Sequence, residues 1–254
     1  MRHVPALVRR ELAAYFLGPM AYLVLLAFQL LACVNFVDLV ESLSRPQSLY
    51  SAGNDPINLY IPASLGFWIS VLVAVPLLTM RLLAEERRSG TLETLLTVPV
   101  TEVEVVLAKW LAGFVMYTLL LAPFFLYLPF LRHFGNVPFD WGPIASLLIG
   151  LSTLGLMFVA IGLFFSALSR NQIVAAMATF ATLFVILVLF VIEYGGAMRR
   201  QTSWAEALRY LTVVSQVHEF GLGQLDPRYL ALHLSVAVFL VWMTVLVMRS
   251  RRGA

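Results

Sequence analysis

The side chains able to do chemistry are scarce in this sequence, and most of them sit at the ends of apolar runs. Of 254 residues, 61% are hydrophobic and 12% charged, with one cysteine and four histidines. Nucleotide binding through a P-loop needs Gly-Lys-Ser/Thr after a glycine-rich turn. The sole lysine, Lys109, follows Ala108, so ATP cannot be held that way. Ion-coupled transporters and proton pumps place carboxylates, histidine or lysine inside their spans. Here Asp38 lies near the end of one apolar run and His233 near the start of another, and nothing resembles a midplane relay or a channel filter. Ser152, between Gly150 and Gly155, has no histidine placed to act as its base, so packing accounts for it better than nucleophilic catalysis. The adjacent His218 and Glu219 have no third metal ligand in view. Cys33 can form neither an intramolecular disulfide nor a thiolate cluster and reads as a small packed hydrophobe.

The informative polar stretch is residues 81–110, RLLAEERRSGTLETLLTVPVTEVEVVLAKW. Glu85-Glu86 resembles the paired glutamates of prenyl-type intramembrane proteases, but Gly90 stands where that motif requires arginine. The local signals point instead to a small folded connector. Ser89-Gly90 predicts a turn, and residues 91–97 can make about two helical turns, with Leu92, Leu95 and Leu96 on one side and Glu93 on another. Pro99 ends that piece, and the Thr101-x-x-Glu104 capping box opens the next helix. A short amphipathic helix with projecting leucines suits a groove on a partner. The charges of Glu85, Glu86, Arg87, Arg88 and Glu93 can form a polar rim that sets register.

The elements that must position this stretch are membrane helices. Soluble domains carry roughly 45–50% apolar and about 25% charged residues, and a mean hydropathy of +0.88 is far from that class. Six runs are long enough to span a bilayer, at 19–40, 57–80, 105–131, 143–168, 172–192 and 229–248. The fold expected is an all-α membrane protein, one transmembrane domain over 1–254. Residues 4–16 predict an interfacial helix, with Val4, Leu7, Val8, Leu12 and Tyr15 on one face, broken from the first span at Gly18-Pro19. Between spans five and six, Ser203-x-x-Glu206 and Ser215 predict two short helices on the outer side, and Asp226-Pro227 the start of the last span. Of the 17 basic residues, 11 fall on the side that holds both termini and the 81–110 stretch. The positive-inside rule makes that side cytoplasmic. The net charge of +3 therefore reports topology rather than nucleic-acid binding.

Residues 85–99 closely resemble the signature of ABC type-2 permeases, E-x-R-x-x-G-T-L-E-x-L-L-x-x-P between spans two and three. Glu86, Arg88, Gly90, Thr91, Leu92, Glu93, Leu95, Leu96 and Pro99 carry the match, with one residue fewer before the glycine. The order of interfacial helix, six spans and outer helices resembles the same family. Residues 215–226 and the helix after them resemble its gliding-motility-type branch. The resemblance implies that the short helix is a coupling helix seated in a separate ABC ATPase, which binds the ATP and magnesium, so this chain itself carries no cofactor and no catalytic residue. It also implies a second permease chain, identical or related, and a bacterial inner membrane. A companion subunit with a periplasmic domain is a further implied partner.

Small residues Ala175, Ala178, Thr179 and Thr182 on span five allow close backbone approach, either to the second chain or within one subunit. Two functional readings are open on the sequence. One is an exporter permease. The other is a non-transporting subunit that relays ATPase motion to an envelope partner. The aromatic residues Phe124, Phe125, Tyr127 and Phe130 fit contact with lipid rather than a substrate signature.

Overall fold

The computed structural model describes residues 3–44, 60–89, 101–135, 140–194 and 210–250. These residues form helices α1 (Val4–Leu17), α2 (Pro19–Ser44), α3 (Leu65–Thr79), α4 (Ala84–Ser89), α5 (Glu102–Gly135), α6 (Trp141–Leu168), α7 (Gln172–Tyr194), α8 (Val213–Gly221) and α9 (Pro227–Ser250). Among them are six helices long and apolar enough to cross a membrane. The chain is an all-α membrane protein.

Local chemistry explains most of the boundaries. Gly18 is extended (φ −98, ψ 149), which parts α1 from α2. The capping box forms as the spacing predicts: Thr101 N–H donates to Glu104 Oε2 at 3.2 Å and Glu104 N–H to Thr101 Oγ1 at 3.3 Å. Asp226 Oδ1 accepts the Arg228 N–H at 2.9 Å and opens α9. Two expectations need correction. The second span starts at Leu65, because Ile61–Ala63 form a turn and Ser64 caps the helix by accepting the Phe67 N–H at 3.2 Å. The short helix before the last span begins at Val213 with Thr212 as its N-cap, so Ser215 lies inside it rather than at its start. The expected cap at Ser203 lies outside the described residues.

Helix α6 is the axis of the bundle, packing on α9, α5, α7, α3 and α8. The spans differ in how they divide between protein and surroundings: 78% of the span built on α3 is buried, against 17% of α7. Gly155 shows why α6 can be central. A Cβ there would overlap the Tyr117 ring of α5, so glycine lets that ring lie against the α6 backbone. Helix α2 is largely exposed, and Cys33 lies on its exposed side rather than in a packed interior.

Candidate functional site

The polar architecture concentrates at the end of the bundle where α1, α4 and the start of α5 meet. After Thr79 the chain turns through residues 80–83 into α4, the root of the predicted coupling segment. That turn is fastened to α6 by one hydroxyl. Ser166 Oγ accepts the Leu83 and Ala84 N–H groups, each at 3.0 Å, and donates to the Met80 carbonyl at 3.1 Å. One donor and two lone pairs are thereby all used. Arg87 donates to the Ala167 carbonyl at the C-terminus of α6, where free carbonyls and the helix dipole favour a cation. Within α4 the acids fall in the first turn and the bases in the last, the order that complements the dipole.

A charge cluster ties this root to two more elements. Lys109 Nζ of α5 lies 2.8 Å from Glu86 Oε1 of α4 and 3.0 Å from Glu11 Oε2 of α1. Its side chain is only 3% exposed. Arg10 reaches Glu11 at 2.8 Å and Glu86 at 3.8 Å, so two cations face two carboxylates. Burial by itself raises the Glu11 carboxyl, but Lys109 and Arg10 outweigh it and hold the group below its ordinary value. Next to the cluster, Tyr15 Oη donates to the Leu78 carbonyl at 2.8 Å, and burial pushes its phenol up.

Of the residues expected to dock a partner, Glu86 and Arg87 are thus turned into the subunit. Glu85 pairs with Arg81 at 2.9 Å near the surface, and Arg88 is exposed. Gly90, Thr91, Leu92, Glu93, Leu95, Leu96 and Pro99 lie outside the described residues. On α7, Ala175 and Thr179 are fully buried within the chain, Ala175 against Met80 and Ala84. Of the four small residues, only Ala178 and Thr182 keep partial exposure. Sequence reasoning missed Glu11, Lys109 and Ser166. A signal existed for two of them: Lys109 is the only lysine, and Glu11 the only acid of α1. An ionisable residue at the edge of an apolar span implies a partner.

The opposite end carries a smaller polar cluster. His233 of α9, fully buried, places Nε2 2.8 Å from Gln216 Oε1 of α8 and Nδ1 3.2 Å from Thr153 Oγ1 of α6. Gln216 Nε2 donates to the Tyr210 carbonyl, which turns its oxygen to the imidazole and assigns the proton to His233 Nε2. Val213 and Val214 at the start of α8 line an apolar cleft together with Trp68, Leu72, Phe158 and Leu183.

No curated protein matches this chain. The family model described as ABC-2 family transporter protein matches residues 13–250, from α1 to the end of α9. The match takes in the six apolar helices and the charged root between α3 and α5, and the chain belongs to the ABC-2 transporter family as a multi-pass membrane permease.

Proposed function

We propose that this chain is the membrane half of an ATP-binding-cassette exporter, driven by a separate ATPase that seats on the segment following α4. The observation that carries the reading is the anchoring of α4. A solvated connector has no need to be held by Ser166, Ala167 and Lys109, each on a long helix of the bundle. An element that receives force does need it, because motion is passed on only through rigid contacts. Beyond Arg88, the leucines Leu92, Leu95 and Leu96 supply apolar anchors and Glu93 fixes register. ATP and magnesium belong to the partner. ATP binding draws two such segments together, and α3 and α5 carry the shift to the α8 end. A second permease chain, identical or related, completes the pathway. Both termini lie in the cytoplasm of a cell whose inner membrane holds the protein, a reading supported by the excess of basic residues on the side of the termini.

The test is purification with and without a co-expressed ABC ATPase. The chain alone should hydrolyse no ATP, and the ATPase should co-purify with it and respond to it. Hydrolysis by the isolated chain, or an ATPase that ignores it, refutes the reading.

A further inference from the structure

We propose that Lys109 is a positioning residue that makes the interfacial helix α1 move with the coupling segment rather than with its own span. The inference rests on the coupling role given above to the segment after α4.

Helix α1 continues into α2 through Gly18 in an extended conformation, so no continuous helix stiffens that joint. Its packing lies mainly along α5, with a smaller contact to α2. Its polar ties to other elements land on those that flank the coupling segment, and Arg10 adds a longer contact to Glu86 at 3.8 Å. Tyr15 holds the Leu78 carbonyl in the last turn of α3, and Glu11 reaches Lys109, which reaches Glu86. The Lys109 ammonium therefore sits between one carboxylate from α1 and one from α4, nearly out of contact with solvent. In such surroundings these three charges, with the half-exposed Arg10 beside them, act as a unit. Drawing α1 away from α4 breaks the Lys109–Glu11 contact and the longer Arg10–Glu86 contact together and leaves charge only partly compensated in a nearly solvent-free place, so the geometry resists α1 and α4 moving apart. A guanidinium or ammonium paired at the surface would yield easily; this one does not. The consequence is mechanical. Displacement of the coupling segment carries α1 along the membrane surface with it, and the extended Gly18 joint absorbs the difference against α2.

The test is run in an Arg10→Gln background, which serves as the parent and removes the second ionic tie from α1 to Glu86; in it Glu11→Gln removes the remaining one and leaves the Lys109–Glu86 pair in place. Lys109→Arg serves as the conservative variant. Cys33 is replaced by serine, and spin labels are put at Ala13 on α1, Val103 on the first turn of α5 and Ala231 on α9. In the permease alone, the Ala13–Val103 distance distribution should be narrow in the parent and in Lys109→Arg, and broad in Glu11→Gln. Equal widths overturn the clamp. In the complex, ATP should shift both the Ala13–Ala231 and the Val103–Ala231 distances in the parent. Glu11→Gln should keep ATPase co-purification and the Val103 shift but lose the Ala13 shift. An Ala13 shift that survives in Glu11→Gln, or is absent in a parent whose Val103 label does move, overturns the proposal. An ATPase that fails to bind the parent defeats the coupling reading itself, and the measurements on the permease alone then still judge the clamp.

Discussion

Lys109→Met isolates the energetic weight of the charge cluster. The ammonium lies 2.8 Å from one carboxylate oxygen and 3.0 Å from the other, with side-chain exposures of 3%, 19% and 13% for Lys109, Glu86 and Glu11. Methionine keeps the length and removes the charge, so the two carboxylates face each other across at most the sum of those distances. At an effective dielectric near 20, their repulsion at about 6 Å is roughly 3 kcal/mol. Removing one partner from a buried ionic group costs about 3–5 kcal/mol; Arg10 stays beside both carboxylates, but its side chain is half-exposed, so it offsets only part of either figure. The assay is thermal unfolding in detergent of the parent, Lys109→Met and the triple change Glu11→Gln, Glu86→Gln, Lys109→Met. The single variant should lose most of that amount. The triple variant should recover much of it, because uncharged replacements remove the desolvation cost together with the attraction. A single variant as stable as the parent, or a triple variant worse than the single, refutes the reasoning.

Other consequences can be checked separately. Ser166→Ala leaves the Leu83 and Ala84 N–H groups without their acceptor and should cost about 1–3 kcal/mol of stability, measured in the same melts. Gly155→Leu drives a side chain into the Tyr117 ring and should destabilise by about 1–3 kcal/mol or more, seen as loss of monodisperse protein on extraction. Because the Glu11 carboxyl is held below its ordinary value of 4.5, its ion pair adds stability above that pH and loses it as pH falls through the folded-state value; melts of the parent and Glu11→Gln should converge on acidification below pH 4.5. Glu93→Lys and Arg88→Glu should misalign the ATPase, whereas Leu95→Ala should weaken its docking by about 1–3 kcal/mol, read as loss of co-purification.

What the sequence made legible follows from the range of its signals. Span positions came from apolar runs, and the breaks at Gly18-Pro19, Thr101-x-x-Glu104 and Asp226-Pro227 came from residues that act on their own backbone. The start of α3 was misplaced because the turn residues Ile61 and Pro62 are as buried as helical ones; hydropathy cannot distinguish that turn from a helical one. Helix α4 has six residues and four charges, too short to stand alone or to show a periodic face. It is held by Ser166 and Lys109, contacts that no local window contains. Glu11 and Lys109 meet across 98 positions of sequence, and nothing on either residue names the other. The cluster at His233, Gln216 and Thr153 has the same character: each residue is ordinary in its own helix, and only packing brings them together.

A separate ATPase is proposed to seat on the leucines that follow α4 in the sequence. Site-specific photocrosslinking from Leu95 tests it most directly, with the permease and a co-expressed ABC ATPase in native membranes. Leu95 should crosslink to the ATPase chain, and an equivalent probe at Trp141, at the opposite end of the bundle, should not. An ATPase that co-purifies while Leu95 crosslinks only to lipid or to the permease itself would contradict it.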